Sequence, residues 1–173
     1  DPYFVLLRTG ALPDPAPALG LYQQLLDQNP DDIALRTDYV RFLTVARQYP
    51  MALEQARTLY RLAPDDPQVV AMYAYSAARA DRPAPMATEA LQTALVANPN
   101  DAGLLLAASS YFIAQNDFAR AEQYLRQAEA TGVDPAEIDL RRNALRERER
   151  DLALESAREL YRAGQYAQAA GAY

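Results

Sequence analysis

Apolar residues recur along this chain at three- and four-residue spacing, in runs of about a dozen residues that stop at evenly spaced prolines. Leu25, Leu59 and Ala94 each stand five positions before a proline, at Pro30, Pro64 and Pro99. One or two Asp or Asn residues follow each proline, and a new periodic run then begins. Spacing of three and four predicts amphipathic helices. Their return about every 34 residues predicts stacked helix pairs, in which each pair buries its apolar face only against its neighbours.

The pattern predicts helices over 18–28, 33–46, 51–62, 68–80, 86–97, 102–115 and 120–130. Tyr39, Val40 and Leu43 form the apolar face of the second, and Ala52, Ala56 and Leu59 that of the third. Ala71, Met72 and Tyr75 are expected to face inward from the fourth, as are Ala87, Leu91 and Ala94 from the fifth. Leu105, Ala108 and Phe112, then Ala121, Leu125 and Ala128, continue the design. Ala at the closest crossings lets two backbones approach, with Tyr and Leu filling the wider gaps.

Gln48-Tyr49-Pro50 reads as a break between helices. Asp81-Arg82-Pro83-Ala84-Pro85 reads as a turn about three residues longer, in which two prolines forbid a continuous helix. Pro13, Pro15 and Pro17 read as a loop within 1–17. From 136 to 163 about 14 extra residues precede the last unit. Asp134-Pro135 starts a helix, and no Pro or Gly follows until Gly164. One long helix or two helices kinked near Glu149–Asp151 both satisfy that stretch.

Composition removes whole classes of chemistry. The 173 residues contain no Cys, no His and no Lys, and all 17 basic residues are Arg. Disulfides, a thiolate nucleophile, an imidazole base, a Schiff-base lysine and a phosphate-loop lysine are all excluded. We therefore expect no enzyme, no cofactor and no metal. A net charge of −6 argues against nucleic acid as a partner. No apolar run is long enough to span a bilayer. The missing initial Met and the stop in mid-pattern at Tyr173 suggest an excised segment, whose uncovered ends would favour weak self-association.

The residues at the helix junctions carry a resemblance. Asp117-Phe118-Ala119-Arg120-Ala121 with Leu125 and Ala128, Tyr49 with Ala52, Ala56, Leu59 and Pro64, and Gly164-Gln165-Tyr166 with Ala169 resemble the tetratricopeptide repeat family. The family's Trp and helix-A Gly are absent. The resemblance implies an all-α, right-handed TPR solenoid of about four helix-turn-helix units, with one long irregular helix before the last. The units would be a partial repeat at 1–32, repeats at 33–64, 65–101 and 102–135, a linking helix at 136–163 and a truncated repeat at 164–173.

The family binds peptides or helices in a concave groove lined by the first helix of each unit. Carried over, that groove-facing pattern is Thr37, Arg41 and Val45, then Val69, Tyr73 and Ser76, then Leu106, Ser110 and Ile113. Only Arg41 among the positions matching the chaperone-adaptor clamp is basic, so capture of an acidic C-terminal tail is not expected. A glycan-binding module would use Tyr73 as its aromatic platform.

A second candidate is the arginine stripe Arg141, Arg142, Arg146, Arg148 and Arg150. Interleaved Glu147 and Glu149 favour a solvated helix with pairs such as Glu137–Arg141 and Arg146–Glu149, at about 0.2–0.5 kcal/mol each. The acids at Asp31-Asp32, Asp65-Asp66 and Asn100-Asp101 could be read as glycosidase carboxylates. Repeated once per unit before a helix, they fit capping better.

The Lys-free, Cys-free, Ala- and Arg-rich array with an interrupting helix is also similar to the periplasmic repeats of bacterial exopolysaccharide export proteins, such as those for cellulose. That likeness implies a protein-binding scaffold, or a polysaccharide-contacting one, in the periplasm. A cytoplasmic adaptor or assembly chaperone is the alternative.

Overall fold

A computed structural model describes residues 15–80 and 84–171, and the regular structure among them is entirely helical. In chain order the helices are α1 (Ala16–Gln28), α2 (Ile33–Val45), α3 (Tyr49–Leu62), α4 (Pro67–Ala80) and α5 (Pro85–Ala97), followed by α6 (Ala102–Ala114), α7 (Phe118–Ala130), α8 (Pro135–Arg162) and α9 (Tyr166–Gly171). Each packs against the next, and α4 also lies directly against α6. This is a stack of helix pairs compatible with a helical repeat.

The starts and stops are set by local chemistry that recurs. Asp32, Asp66 and Asp101 each accept a hydrogen bond from a first-turn N–H, at 2.9 Å from Leu35, 2.8 Å from Gln68 and 2.8 Å from Leu104. The expected capping role of the acid pairs is what the geometry displays. At the preceding helix ends, Asn29 and Asn98 turn their side-chain amides onto the carbonyls of Leu25 and Ala94.

Three turns share one conformation. Arg47, Asn116 and Gly164 have φ of 57°, 60° and 77°. The next residue in each, Gln48, Asp117 and Gln165, donates its N–H back to the carbonyl of Leu43, Phe112 or Leu160 at 2.8–2.9 Å. An aromatic residue then opens the following helix: Tyr49, Phe118 or Tyr166. This six-to-one closure satisfies carbonyls that a helix end leaves open. It makes the α2–α3, α6–α7 and α8–α9 junctions equivalent.

Two expectations about proline need correction. Pro50 and Pro17 do not break helices: each occupies the first turn of its own, α3 and α1. At that position the missing N–H has no intrahelical partner to lose. The break before α3 is instead the left-handed Arg47. The rest of the expected loop at 1–17, up to residue 14, lies outside the described residues, as do 81–83 of the longer turn. Ala84, which follows that turn, is buried. Its carbonyl accepts a hydrogen bond at 2.9 Å from the Tyr111 hydroxyl, which also lies 3.0 Å from Thr88 Oγ1. That tie fixes α5 to α6, two helices that otherwise touch only lightly.

The core falls into two clusters. Ala18, Tyr22 and Leu26 of α1 meet Tyr39, Phe42 and Leu43 of α2 in the smaller one, where Tyr22 and Tyr39 stack at 4.8 Å. The larger one is centred on α6, which is apolar on nearly every side and buried on nearly every side. A helix of that character belongs at the middle of a stack. On α4, Val69, Val70, Tyr73, Ala74 and Ala77 are buried, whereas the expected inward residues Ala71, Met72 and Tyr75 are only half-buried.

Of the two readings for 136–163, one long helix is observed: α8 runs unbroken over 28 residues. Ile138 and Leu145 join the larger core, and Ala157 is buried on the half that meets α9.

Candidate binding groove

The first helices of successive pairs, α2, α4 and α6, together with the first half of α8, line two adjoining pockets. One, of about 240 Å³, has Val40, Arg41, Thr44 and Val45 from α2 facing Met72, Tyr75 and Ser76 from α4. The other, of about 430 Å³, is walled by Tyr75, Ala78 and Arg79 of α4, by Ser110, Ile113 and Ala114 of α6, and by Glu137, Leu140, Arg141 and Ala144 of α8. Tyr75 borders both, so the two lie side by side along the array.

Of the groove residues expected from sequence, Arg41, Val45, Ser76, Ser110 and Ile113 line these pockets. Thr37 does not, although it is half-buried on the same helix. Val69, Tyr73 and Leu106 are placed elsewhere. Tyr73 is 1% exposed, and its ring stacks on Tyr60 of α3 at 5.3 Å. Val69 and Leu106 are buried as well, and Ser76, though it borders the smaller pocket, is 2% exposed. A buried ring cannot serve as a glycan platform, so that role for Tyr73 is withdrawn.

For Val69 and Tyr73 the reason is one of register. The equivalent positions are Arg41, Tyr75, Ser110 and Ala144, one about every 34 residues. On α4 the sequence reading stood two residues off that series. The signal that finds Tyr75 is the repeat period itself, stepped from Arg41. Ala144 comes from the same step, carried into the stretch after 135, and Arg141 stands about one turn before it.

The polar groups in the larger pocket are held in place. Arg79 donates to the Tyr49 hydroxyl at 2.6 Å and lies 4.7 Å from the centre of that ring. The Tyr49 phenol holds its guanidinium above the usual pKa, so it stays a cation throughout the accessible range. Arg141 pairs with Glu137 at 3.0 Å, as expected, and its buried Nε has no partner.

The remaining stripe arginines each have different partners. Arg142 reaches Glu129 at 2.8 Å and Glu122 at 3.5 Å on α7, and Arg148 reaches Asn116 at 2.9 Å in the α6–α7 turn. Arg146 contacts Asn143 in place of Glu149, and Arg150 lies near Asp151 at 3.8 Å. Arg142 and Arg148 act as tethers between α8 and the preceding pair.

A third pocket of about 300 Å³ lies apart from the groove, where Gln23 and Asp27 of α1 face Arg36, Tyr39 and Gln55. Arg36 is buried there, bonded to Gln55 and to the Pro30 carbonyl. Burial pushes its pKa down, and Asp31 partly offsets that. It knits α2 to α3 and to the α1–α2 loop.

Among the described residues no three acidic side chains come close enough to hold a metal ion, and no helix is long and apolar enough to cross a membrane. Comparison with known protein families, with curated proteins and with solved structures found no match.

Proposed function

We propose that this chain is a tetratricopeptide-type repeat segment serving as a non-catalytic scaffold, holding a partner protein in the groove lined by α2, α4, α6 and the first half of α8. The observation that carries this reading is Tyr75. It is a half-buried aromatic standing between two pockets, on a series of equivalent positions contributed by four alternate helices, α2, α4, α6 and α8. Aromatic and arginine side chains in such partly enclosed places supply most of the binding energy of interfaces. The three identical turns and the regularly spaced caps support the repeat assignment.

The setting belongs to the same proposal: a periplasmic part of a bacterial exopolysaccharide export assembly, such as that for cellulose. Its support is the Lys-free, Cys-free, Ala- and Arg-rich sequence and the long helix that interrupts the array.

Site-specific photo-cross-linking tests the groove. A benzophenone side chain replaces Tyr75 in one variant and Val96, 85% exposed on α5 and lining neither pocket, in another. In cells of the source organism, a discrete cross-linked protein from position 75 and none from position 96 supports the groove. Equal products from both, or a product from 96 alone, refutes it. Osmotic-shock fractionation of the same cells decides the compartment.

A further inference from the structure

The groove floor carries almost no charge. α4 and α6 together contain a single charged side chain, Arg79, in a chain whose net charge is −6. Among the described residues Arg79 forms no ion pair. Its contacts, the Tyr49 hydroxyl and ring, fix the guanidinium without neutralising it. On the opposite wall Arg141 gives one terminal nitrogen to Glu137 and leaves its buried Nε unpartnered. The larger pocket therefore holds two guanidinium groups against one carboxylate. The smaller pocket is different in kind: Val40, Val45, Met72 and Tyr75 make it apolar, and its Arg41 leans toward Asp38 at 3.6 Å.

We propose that the groove takes a partner segment that seats an apolar side chain between α2 and α4 and an aspartate or glutamate side chain between Arg79 and Arg141, on the two sides of Tyr75. This inference rests on the groove reading above and names the partner's chemistry. A guanidinium presents a planar fork of donors suited to a carboxylate. Arg79 is already ordered by Tyr49, so little side-chain freedom is left to lose on binding. A lysine or arginine at that place would meet like charge, which selects against basic segments. The apolar pocket supplies the second anchor and fixes the direction in which the segment lies.

The test is panning of a random twelve-residue display library on the intact chain. The enriched sequences are then measured as capped synthetic peptides by fluorescence anisotropy. The expected winners share an acidic and an apolar residue at constant separation. Replacing that acid in the peptide by its amide weakens binding at least about tenfold. Arg79→Gln also weakens it, and adding that change to the amide peptide costs no more than the amide alone, as a direct contact requires.

Winners without a common acid that are lost on Tyr75→Ala overturn this proposal and leave the groove reading standing. Winners that depend on a free C-terminal carboxylate rather than a side chain also overturn it. No enrichment, or enrichment indifferent to Tyr75→Ala, overturns both. The peptide substitutions leave the protein untouched, so a folding defect in Arg79→Gln, visible by circular dichroism, cannot mask the result.

Discussion

Two tyrosines two residues apart separate packing from recognition on α4. Tyr73 is buried with its ring stacked on Tyr60 at an interplanar angle of 17°. Truncating a buried aromatic to Ala costs about 3–5 kcal/mol, the lost transfer energy plus the cavity left behind. Some of that, roughly 0.5–1.5 kcal/mol, belongs to the ring pair. Tyr75 is half-buried, borders open pockets and stacks on no other ring among the described residues. Its truncation is expected to cost about 1 kcal/mol or less.

With a urea dependence near 2 kcal/mol per molar, Tyr73→Ala lowers the unfolding midpoint by about 2 M, and Tyr75→Ala by about 0.5 M or less. Far-UV circular dichroism follows the transition. Tyrosine fluorescence run in parallel detects any unit that melts separately, as repeat arrays can. Under the proposed function the order reverses for partner binding: Tyr75→Ala is expected to lose it while still folded. Equal midpoint shifts, or a larger one for Tyr75, would refute the register that places Tyr75 in the groove.

Other substitutions probe the junctions. Tyr111→Phe removes the hydroxyl that reaches the buried Ala84 carbonyl and Thr88. It is expected to cost about 1–2 kcal/mol and to raise hydrogen exchange at the start of α5, while Tyr124→Phe, whose hydroxyl has no hydrogen-bond partner among the described residues, changes neither. Exchange unchanged near residue 88 would contradict the tie. Arg47→Gly relieves a left-handed backbone at φ 57°. A gain of about 0.5–1 kcal/mol in thermal unfolding is expected, the relief exceeding the extra freedom glycine has when unfolded; a loss would show that the Arg side chain matters more than its backbone.

Acid stability tests Asp117. The Arg120 backbone N–H, opposed by desolvation and aided by the Arg120 side chain, holds its carboxyl below the ordinary value. Its contribution is therefore fully present above the unfolded pKa of about 3.9 and is lost as pH falls through the lower folded value. Asp117→Asn should flatten the fall in stability below about pH 4, leaving the neutral region unchanged. Parallel acid limbs for parent and variant would exclude that role.

The period was readable because Pro30, Pro64 and Pro99 mark helix ends directly, and Asp32, Asp66 and Asp101 were readable as caps because each precedes an apolar run. Pro50 misled because a proline in a first turn and a proline that ends a helix look alike without knowledge of which N–H groups are already free. The face of α4 was lost for a different reason. Val69 to Ala78 is apolar almost throughout, so amphipathicity does not distinguish the side facing α3 from the side facing the groove. Tyr73 and Tyr75 were exchanged as a result. Arg141 and Ala144 were missed as groove residues because the absence of a turn after 135 suggested that the array had been left. In three dimensions the first half of α8 continues it.

At 1.5 Å per residue, the 28-residue α8 is a strut about 42 Å long. Loops between repeats absorb insertions and deletions by bulging outward, and their neighbours need not notice. A continuous helix has no such slack. One residue added near Glu149 would advance everything after it by 1.5 Å and rotate it by about 100°, swinging α9 to another side of the array. Adding four would bring it back to within about 40° of its original bearing. The groove-lining half of the molecule and α9 are thus geared together, and the length of this helix sets their relative azimuth.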